Sequence, residues 1–140
     1  MSEEHPNAAL TRRVFAAFGK DAKAISAALA RDVVWRVPGR TVMSGEYRGR
    51  REVVEFLRRT GIETGGTYRS SLHTVFANDD WAVAIYRARG RRNGVDLDVD
   101  QAFVIRCRDG VWQEVTAVPL DSAFERFWAA DMSAADTAGL

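Results

Sequence analysis

Residues 68–119 decide the fold of this chain, and they read YRSSLHTVFANDDWAVAIYRARGRRNGVDLDVDQAFVIRCRDGVWQEVTAVP. The stretch contains four runs rich in β-branched and aromatic residues, the composition of strands. These runs are Tyr68–Asn78, Trp81–Arg92, Leu97–Arg108 and Val111–Pro119. Turn residues separate them, including Asn93-Gly94 and Asp109-Gly110, and both dipeptides favour two-residue hairpin turns. Because no helical pattern intervenes, the stretch predicts an antiparallel meander of three hairpins.

The residues before the meander are mostly helical in pattern. Apolar residues at helical spacing predict one helix from Asn7 to about Phe18 and a second from Asp21 to about Ala30. Val33–Val37 has the composition of a short strand, which Pro38-Gly39 ends. We expect residues 38–49 to be irregular and a third helix to run from Arg51 to about Thr60, before Gly61. A last helix is predicted to begin at Ser122.

This order of elements predicts an α+β fold. We expect a cone-shaped, curved antiparallel sheet with the N-terminal helices packed on its concave face, an arrangement known as a cystatin-like roll. Such a sheet encloses a cavity. With 140 residues and 46% apolar residues, the chain is long enough for one domain, which we place at residues 1–132. The small and polar residues 133–140 are expected to form a disordered tail.

Charge and composition exclude several classes of function. The formal net charge of +1 provides no strong field for nucleic acid or for an anionic membrane. The single cysteine, Cys107, excludes an internal disulfide and suits a reducing compartment. No apolar run approaches the roughly 20 residues that cross a bilayer, and the acidic N-terminus is unlike a signal peptide. We therefore expect a cytoplasmic protein without nucleic-acid or membrane partners.

Strand alternation divides the polar candidates of the meander between two faces. In Leu97–Cys107 one face is apolar except for Gln101, whose amide is either a ligand anchor or a structural bridge. On the other face, Asp98 and Asp100 are either paired carboxylates for acid–base chemistry or members of a solvated charge ladder with the neighbouring arginines. His73 is either a proton carrier or an exposed histidine. We take Asp100, His73 and Gln101 as the candidate catalytic residues.

Large aromatic side chains are the candidates for binding an apolar ligand. Tyrosine and tryptophan combine apolar area with one hydrogen-bond donor, which suits polycyclic or aromatic molecules. The candidates are Trp35, Tyr47, Tyr86, Phe103 and Trp112. Core packing or the apolar face of a dimer would use the same residue types. The chain shows no cluster of histidine and cysteine at metal-binding spacing and no phosphate or dinucleotide motif, so we expect neither metal nor cofactor.

Several local motifs resemble those of the SnoaL-like branch of the nuclear transport factor two-like superfamily, which has the ketosteroid isomerase-like fold. They are Val33-Val34-Trp35-Arg36-Val37-Pro38-Gly39, Tyr47-Arg48-Gly49-Arg50, Ala77-Asn78-Asp79-Asp80-Trp81-Ala82-Val83, Arg106-Cys107-Arg108-Asp109-Gly110 and Asp121-x-x-Phe124-x-x-Phe127-Trp128. The resemblance implies the cone-shaped fold, a hydrophobic small-molecule ligand and a homodimer. Isomerase relatives carry a carboxylate base just before the proline, where this chain has Val37. Where the limonene epoxide hydrolase relatives have an Asp-Arg-Asp set, it has Ala84, Tyr86 and Val118.

Two functions follow from the resemblance and remain open at this point. The first is cofactor-free acid–base isomerisation, cyclisation or hydration of a polycyclic or carbonyl compound, as in the SnoaL-like cyclases and isomerases. The second is a non-catalytic ligand-binding or dimeric accessory module without the acid and base residues of the family. The lining of the cavity distinguishes them, because convergent polar groups favour chemistry and a purely apolar lining favours binding.

Overall fold

The structure is a computed structural model that describes residues 4–129. Its helices are α1 (Pro6–Ala17), α2 (Ala22–Ala27) and α3 (Gly49–Glu63). Its strands are β1 (Leu29–Val37), β2 (Gly45–Arg48), β3 (Arg69–Ala77), β4 (Trp81–Arg92), β5 (Val95–Arg108) and β6 (Val111–Pro119). Residues 122–129 are also helical. The predicted tail, residues 133–140, and the end of the predicted domain lie outside the described residues.

The strands form one curved six-stranded sheet in the order β2-β1-β6-β5-β4-β3. The three predicted hairpins are confirmed, since β3 to β6 pair antiparallel in sequence order. One feature differs from the prediction of a purely antiparallel sheet: β1 runs parallel to β6. The predicted α+β class, with helices packed against a curved sheet, is confirmed.

Helix α1 crosses the concave face and packs against β3 and β4. Its first turn is capped by His5, whose Nδ1 accepts a hydrogen bond of 3.0 Å from the Asn7 backbone N–H. The predicted cap, Asn7, has another role. Its side-chain amide donates to the carbonyl oxygens of Asn78 and Asp79 at 2.9 and 3.1 Å, which fastens α1 to the β3–β4 turn.

Three local predictions were wrong in their details. Residues 45–48 form β2 instead of irregular chain, because Tyr47 pairs with Trp35 across the edge of β1. Helix α3 continues through Gly61 to Glu63, so this glycine does not end the helix. The register of β3 shifts between Leu72 and Thr74, a β-bulge at His73. The extra residue reverses the alternation, which turns Phe76 outward and exposes it.

The sheet has an apolar inner face and a charged or mixed outer face. Inward side chains of β4 and β5 are buried, and they include Ala84, Tyr86, Phe103 and Ile105. Cys107 is also buried, and burial raises its pKa to about 11, so it remains an unreactive thiol. Among residues 4–129, no helix is both long enough and apolar enough to span a membrane.

Candidate ligand cavity

A cavity of about 1070 Å³ lies between the concave face of the sheet, the α1–α2 connection and α3. Nine of the 27 described lining residues are aromatic, and they come from helices and strands alike. They are Phe15, Phe18, Trp35, Phe56, Tyr68, Tyr86, Phe103, Phe124 and Trp128. This volume slightly exceeds the roughly 300–1,000 Å³ that is typical of pockets for drug-sized ligands. The cavity lies at the concave face, where the sequence predicts a hollow, and its use as a ligand pocket stays a prediction.

Strand alternation places the central wall residues. Tyr86 on β4 and Phe103 on β5 point inward, and their ring centroids are 4.8 Å apart. Trp35 on β1 meets Phe103 edge to face at 5.1 Å. The candidates Trp35, Tyr86 and Phe103 thus lie together on the cavity wall, where a ligand would touch them. Their role in binding remains a prediction.

The other two aromatic candidates lie outside the lining. Tyr47 stacks on Phe56 with ring centroids 4.2 Å apart, and its hydroxyl donates to the Met43 carbonyl at 2.8 Å. Trp112 is fully buried, and its indole N–H donates to the Thr11 hydroxyl at 3.3 Å. Both donors are satisfied by protein atoms, so both residues support the wall from behind.

Two tyrosines, Tyr68 and Tyr86, contribute phenol groups to the cavity wall. Desolvation by burial raises the pKa of Tyr68 to about 12, and the neighbouring hydroxyls of Tyr86 and Ser70 partly oppose this shift. Burial also raises the pKa of Tyr86 well above its ordinary value, and Tyr68 raises it further. Both phenols are therefore protonated at neutral pH, and they can donate hydrogen bonds to an oxygen atom of a ligand.

Gln101 lies directly across the β4–β5 pair from Tyr86 and is completely buried. Neither polar atom of its side chain has a partner within hydrogen-bonding geometry among the described residues. Its amide is nevertheless close enough to Tyr86 to oppose the rise of that tyrosine's pKa. Gln101 is not among the lining residues, and it lies beside Tyr86, which is.

Asp100 and His73 lie on the outer face of the sheet, away from the cavity. His73 Nε2 is 3.1 Å from Asp100 Oδ1, and Arg87 Nη1 donates to the same oxygen at 3.2 Å. The hydrogen bond from Arg87 holds the pKa of Asp100 below its usual range, as it does for Asp98. These carboxylates remain ionised in a solvated charge ladder, and the geometry gives Asp100 and His73 no contact with a molecule in the cavity.

Val37 lines the cavity at the end of β1. The resemblance to the isomerase relatives predicted that this position, just before Pro38, is the one where they carry a carboxylate base. Among the described residues that line the cavity, none is aspartate, glutamate or histidine. Within residues 4–129 there is also no group of three metal-binding side chains. The described wall thus offers hydrogen-bond donors to a ligand rather than a carboxylate base.

The sequence analysis missed several lining residues. Tyr68 is the most consequential, because its hydroxyl lies close enough to that of Tyr86 for each to affect the pKa of the other. Its position on the same strand face as Ser70 was the available signal. Phe15 and Phe18 of the α1 region, and Phe124 and Trp128 of the last helical segment, were recognised only as apolar helix faces. Which helix face meets a cavity depends on packing across the whole chain, which no local pattern records.

These features define a class: a cone-shaped α+β protein with an aromatic cavity between its sheet and its helices. Solved structures of similar shape include proteins described as having cystatin-like and ketosteroid isomerase-like folds. The family model of the SnoaL-like domain matches residues 11–115. The chain therefore belongs to the SnoaL-like domain family, as the motifs indicated.

Three individual proteins are similar over most of the chain. An uncharacterized protein of Mycobacterium tuberculosis is 36% identical over 123 residues, which are 86% of this chain and 94% of the relative. Bal32a, from a soil-derived mobile gene cassette, is 32% identical with a TM-score of 0.84, covering 88% of this chain and 96% of its own. TerC, co-crystallised with polyporic acid, is 22% identical with a TM-score of 0.76, covering 88% and 98%, and shows the fold alone.

The raised pKa values predict an unusual alkaline titration. The chain has three tyrosines, and the pKa of each is raised, that of Tyr47 chiefly by burial. Tyrosine absorbance near 295 nm increases when the phenol loses its proton. The midpoint of this increase should lie above pH 10 in the folded protein and near pH 10 in the protein unfolded in urea. The contribution of the tyrosines to stability should be constant below about pH 10 and fall as the pH rises toward about 12, because the unfolded chain loses its phenol protons first. A folded-state titration centred at pH 10 would contradict the buried phenols.

Proposed function

We propose that this protein binds a hydrophobic, ring-containing small molecule in the aromatic cavity. The observation that carries the proposal is a cavity of about 1070 Å³ whose lining includes nine aromatic side chains. Ring faces and edges provide large contact area for a polycyclic ligand. The phenols of Tyr68 and Tyr86 would donate to a carbonyl or hydroxyl oxygen of that ligand. The co-crystallisation of TerC, a protein of similar fold, with polyporic acid supports a small organic ligand.

A neutral fluorescent probe, N-phenyl-1-naphthylamine, tests this proposal. We expect its fluorescence to increase on binding, and unlabelled ring compounds that compete for the cavity should displace it. Ala16 is exposed on α1 and lines the cavity, so Ala16→Trp should obstruct entry and weaken binding about tenfold or more, about 1.4 kcal/mol.

The matched control for this test is Arg13→Trp, on the same helix, exposed and away from the lining. It should bind the probe like the unmodified protein. Equal affinities of both variants and the parent would show that the probe does not occupy the cavity, and absence of binding would count against the proposal itself.

A second candidate is a cofactor-free isomerase or cyclase of the SnoaL-like kind. It is favoured by the pair of protonated phenols, Tyr68 and Tyr86, which can stabilise the negative charge that develops on a carbonyl oxygen during enolisation. Because the described lining has no aspartate, glutamate or histidine, a water molecule in the cavity would accept the proton that leaves the neighbouring carbon. Gln101, buried beside Tyr86, would act as a positioning residue. Because Asp100 and His73 lie on the outer face, they have no place in this step.

Deuterium exchange next to the carbonyl of 1-tetralone separates the two candidates. An enzyme of this kind should accelerate the exchange, and Tyr86→Phe should reduce the acceleration about 100-fold with a small change in affinity. Asp100→Asn should leave the rate unchanged. If bound 1-tetralone exchanges no faster than in buffer, the enzymatic candidate fails and the binding function stands.

We also propose that two copies of the chain associate through the outer face of the sheet. This face has an apolar patch near the β3–β4 turn: Phe76, which is 61% exposed, lies beside Val83, and Val83 pairs with Val104. Trp81, 42% exposed, extends this patch. A two-fold dimer places the same patch on both copies, so apolar area meets apolar area.

Sedimentation velocity tests this dimer. The parent protein should sediment as a dimer, and Val104→Asp should sediment as a monomer because a carboxylate cannot be desolvated against the second copy without a partner. A parent protein that remains a monomer at high concentration would contradict the proposal.

A further inference from the structure

The charged residues that line the cavity are all basic. They are Lys20, Arg58, Arg69 and Arg89, and no acidic residue accompanies them among the described lining residues. All four are exposed, whereas the inner lining residues, such as Trp35 and Phe103, are buried. Positive charge is therefore confined to the mouth of the cavity, and the interior is apolar with neutral phenols.

Two of these four cations are already engaged by protein atoms. Arg89 Nε donates to Asp98 Oδ1 at 2.9 Å on the outer face. Arg69 Nη1 donates to the carbonyl oxygens of Gly66 and Tyr68, each at 2.8 Å. These contacts hold part of each guanidinium group against the protein, and the partner of Arg89 lies on the outer face of the sheet.

The other two, Lys20 and Arg58, are available. The Lys20 side chain makes no hydrogen bond or ion pair with residues 4–129. Arg58 has one carboxylate neighbour, Glu55 at 3.7 Å, and both side chains are about 70% exposed (68% and 70%). An exposed pair of this kind contributes little and exchanges readily for another anion.

Lys20 and Arg58 also lie on neighbouring elements. Lys20 is in the α1–α2 connection, and α2 packs against α3, which carries Arg58. Apart from Glu55, the acidic residues of this region have other partners: Asp21 caps α2 by accepting from the Ala24 backbone N–H at 3.1 Å, and Glu63 lies 3.8 Å from Arg59. Lys20 and Arg58 are therefore the lining cations that a ligand can meet, Arg58 by exchanging its exposed contact with Glu55.

We propose that the ligand of this cavity is an amphipathic anion, with its ring system inside and a carboxylate or a similar anionic group at the mouth against Lys20 and Arg58. This inference rests on the proposed binding function and adds the charge and the orientation of the ligand. A charged group cannot be placed in the interior without a counter-charge, because its desolvation there would be uncompensated. At the mouth the anion stays partly hydrated while the rings leave water.

Two fluorescent probes with the same rings separate the charge from the apolar contact. N-phenyl-1-naphthylamine is neutral, and 1-anilinonaphthalene-8-sulfonate carries an added sulfonate. We expect the parent protein to bind the sulfonate probe more tightly than the neutral probe. Added salt should weaken the binding of the sulfonate probe and leave the binding of the neutral probe unchanged. The double variant Lys20→Met/Arg58→Met should lose about 10-fold in sulfonate affinity and stay within about 2-fold for the neutral probe.

Two further variants control this test. Lys23→Met/Arg51→Met removes the same charge from the same two helical regions, at exposed positions outside the lining, and should leave both affinities unchanged. Lys20→Arg/Arg58→Lys keeps the charge and should keep sulfonate binding. If the two Met variants weaken sulfonate binding equally, or neither weakens it, the inference is overturned while neutral binding upholds the proposed function. If neither probe binds to the parent protein, the proposed function falls as well.

Discussion

The packing of aromatic rings around Phe103, in the middle of β5, is the contact on which the rest of the structure depends. Its ring centroid lies 4.8 to 6.5 Å from those of four other residues: Tyr86, Trp35, Phe15 and Trp112. These rings come from β4, β1, α1 and β6. Aromatic pairs at such distances contribute about 0.5–1.5 kcal/mol each beyond area burial. Because Phe103 also lines the cavity, the contacts that hold the N-terminal half on the sheet also set the width of the hollow.

Turn chemistry made the meander predictable from the sequence. Asn93 and Asp109 have φ values of 51° and 52°, the left-handed conformation that these residue types tolerate best, and each is followed by a glycine. Once these turns fix the strand ends, alternation fixes the faces, so the inward positions of Gln101 and Phe103 and the outward position of Asp100 follow. Turn residues and strand alternation thus predict most of the sheet. Three of the predicted aromatic candidates, Trp35, Tyr86 and Phe103, line the cavity.

Non-local pairing made the remainder unpredictable. The bulge at His73 adds one residue to β3, and the parallel contact of β1 with β6 joins segments about 80 residues apart. Gly61 remains helical because packing of α3 outweighs its low helix propensity. For the site, Trp112 and Trp35 look alike in sequence, yet the Trp112 indole is satisfied by Thr11 while Trp35 faces the cavity. Only the assembled fold decides which side-chain hydrogen-bond donors are satisfied by protein atoms and which side chains face the cavity.

Burial of the wall determines what chemistry the cavity offers. The same desolvation raises the pKa of Tyr68 and Tyr86 further from neutral pH, so their phenols offer hydrogen-bond donors rather than bases. Gln101 is a second polar side chain affected by burial, and it lies behind the cavity wall. An unpartnered buried amide costs about 1–3 kcal/mol, which a leucine of similar volume would avoid. Burial raises the pKa of Tyr86, and the amide of Gln101, its cross-strand neighbour, lowers it. Without this amide, burial would raise the pKa of Tyr86 further. The phenol of Tyr86 is thus set by its burial in the cavity wall and by Gln101, its cross-strand neighbour, and the two flanking hairpins fix the register of this pair.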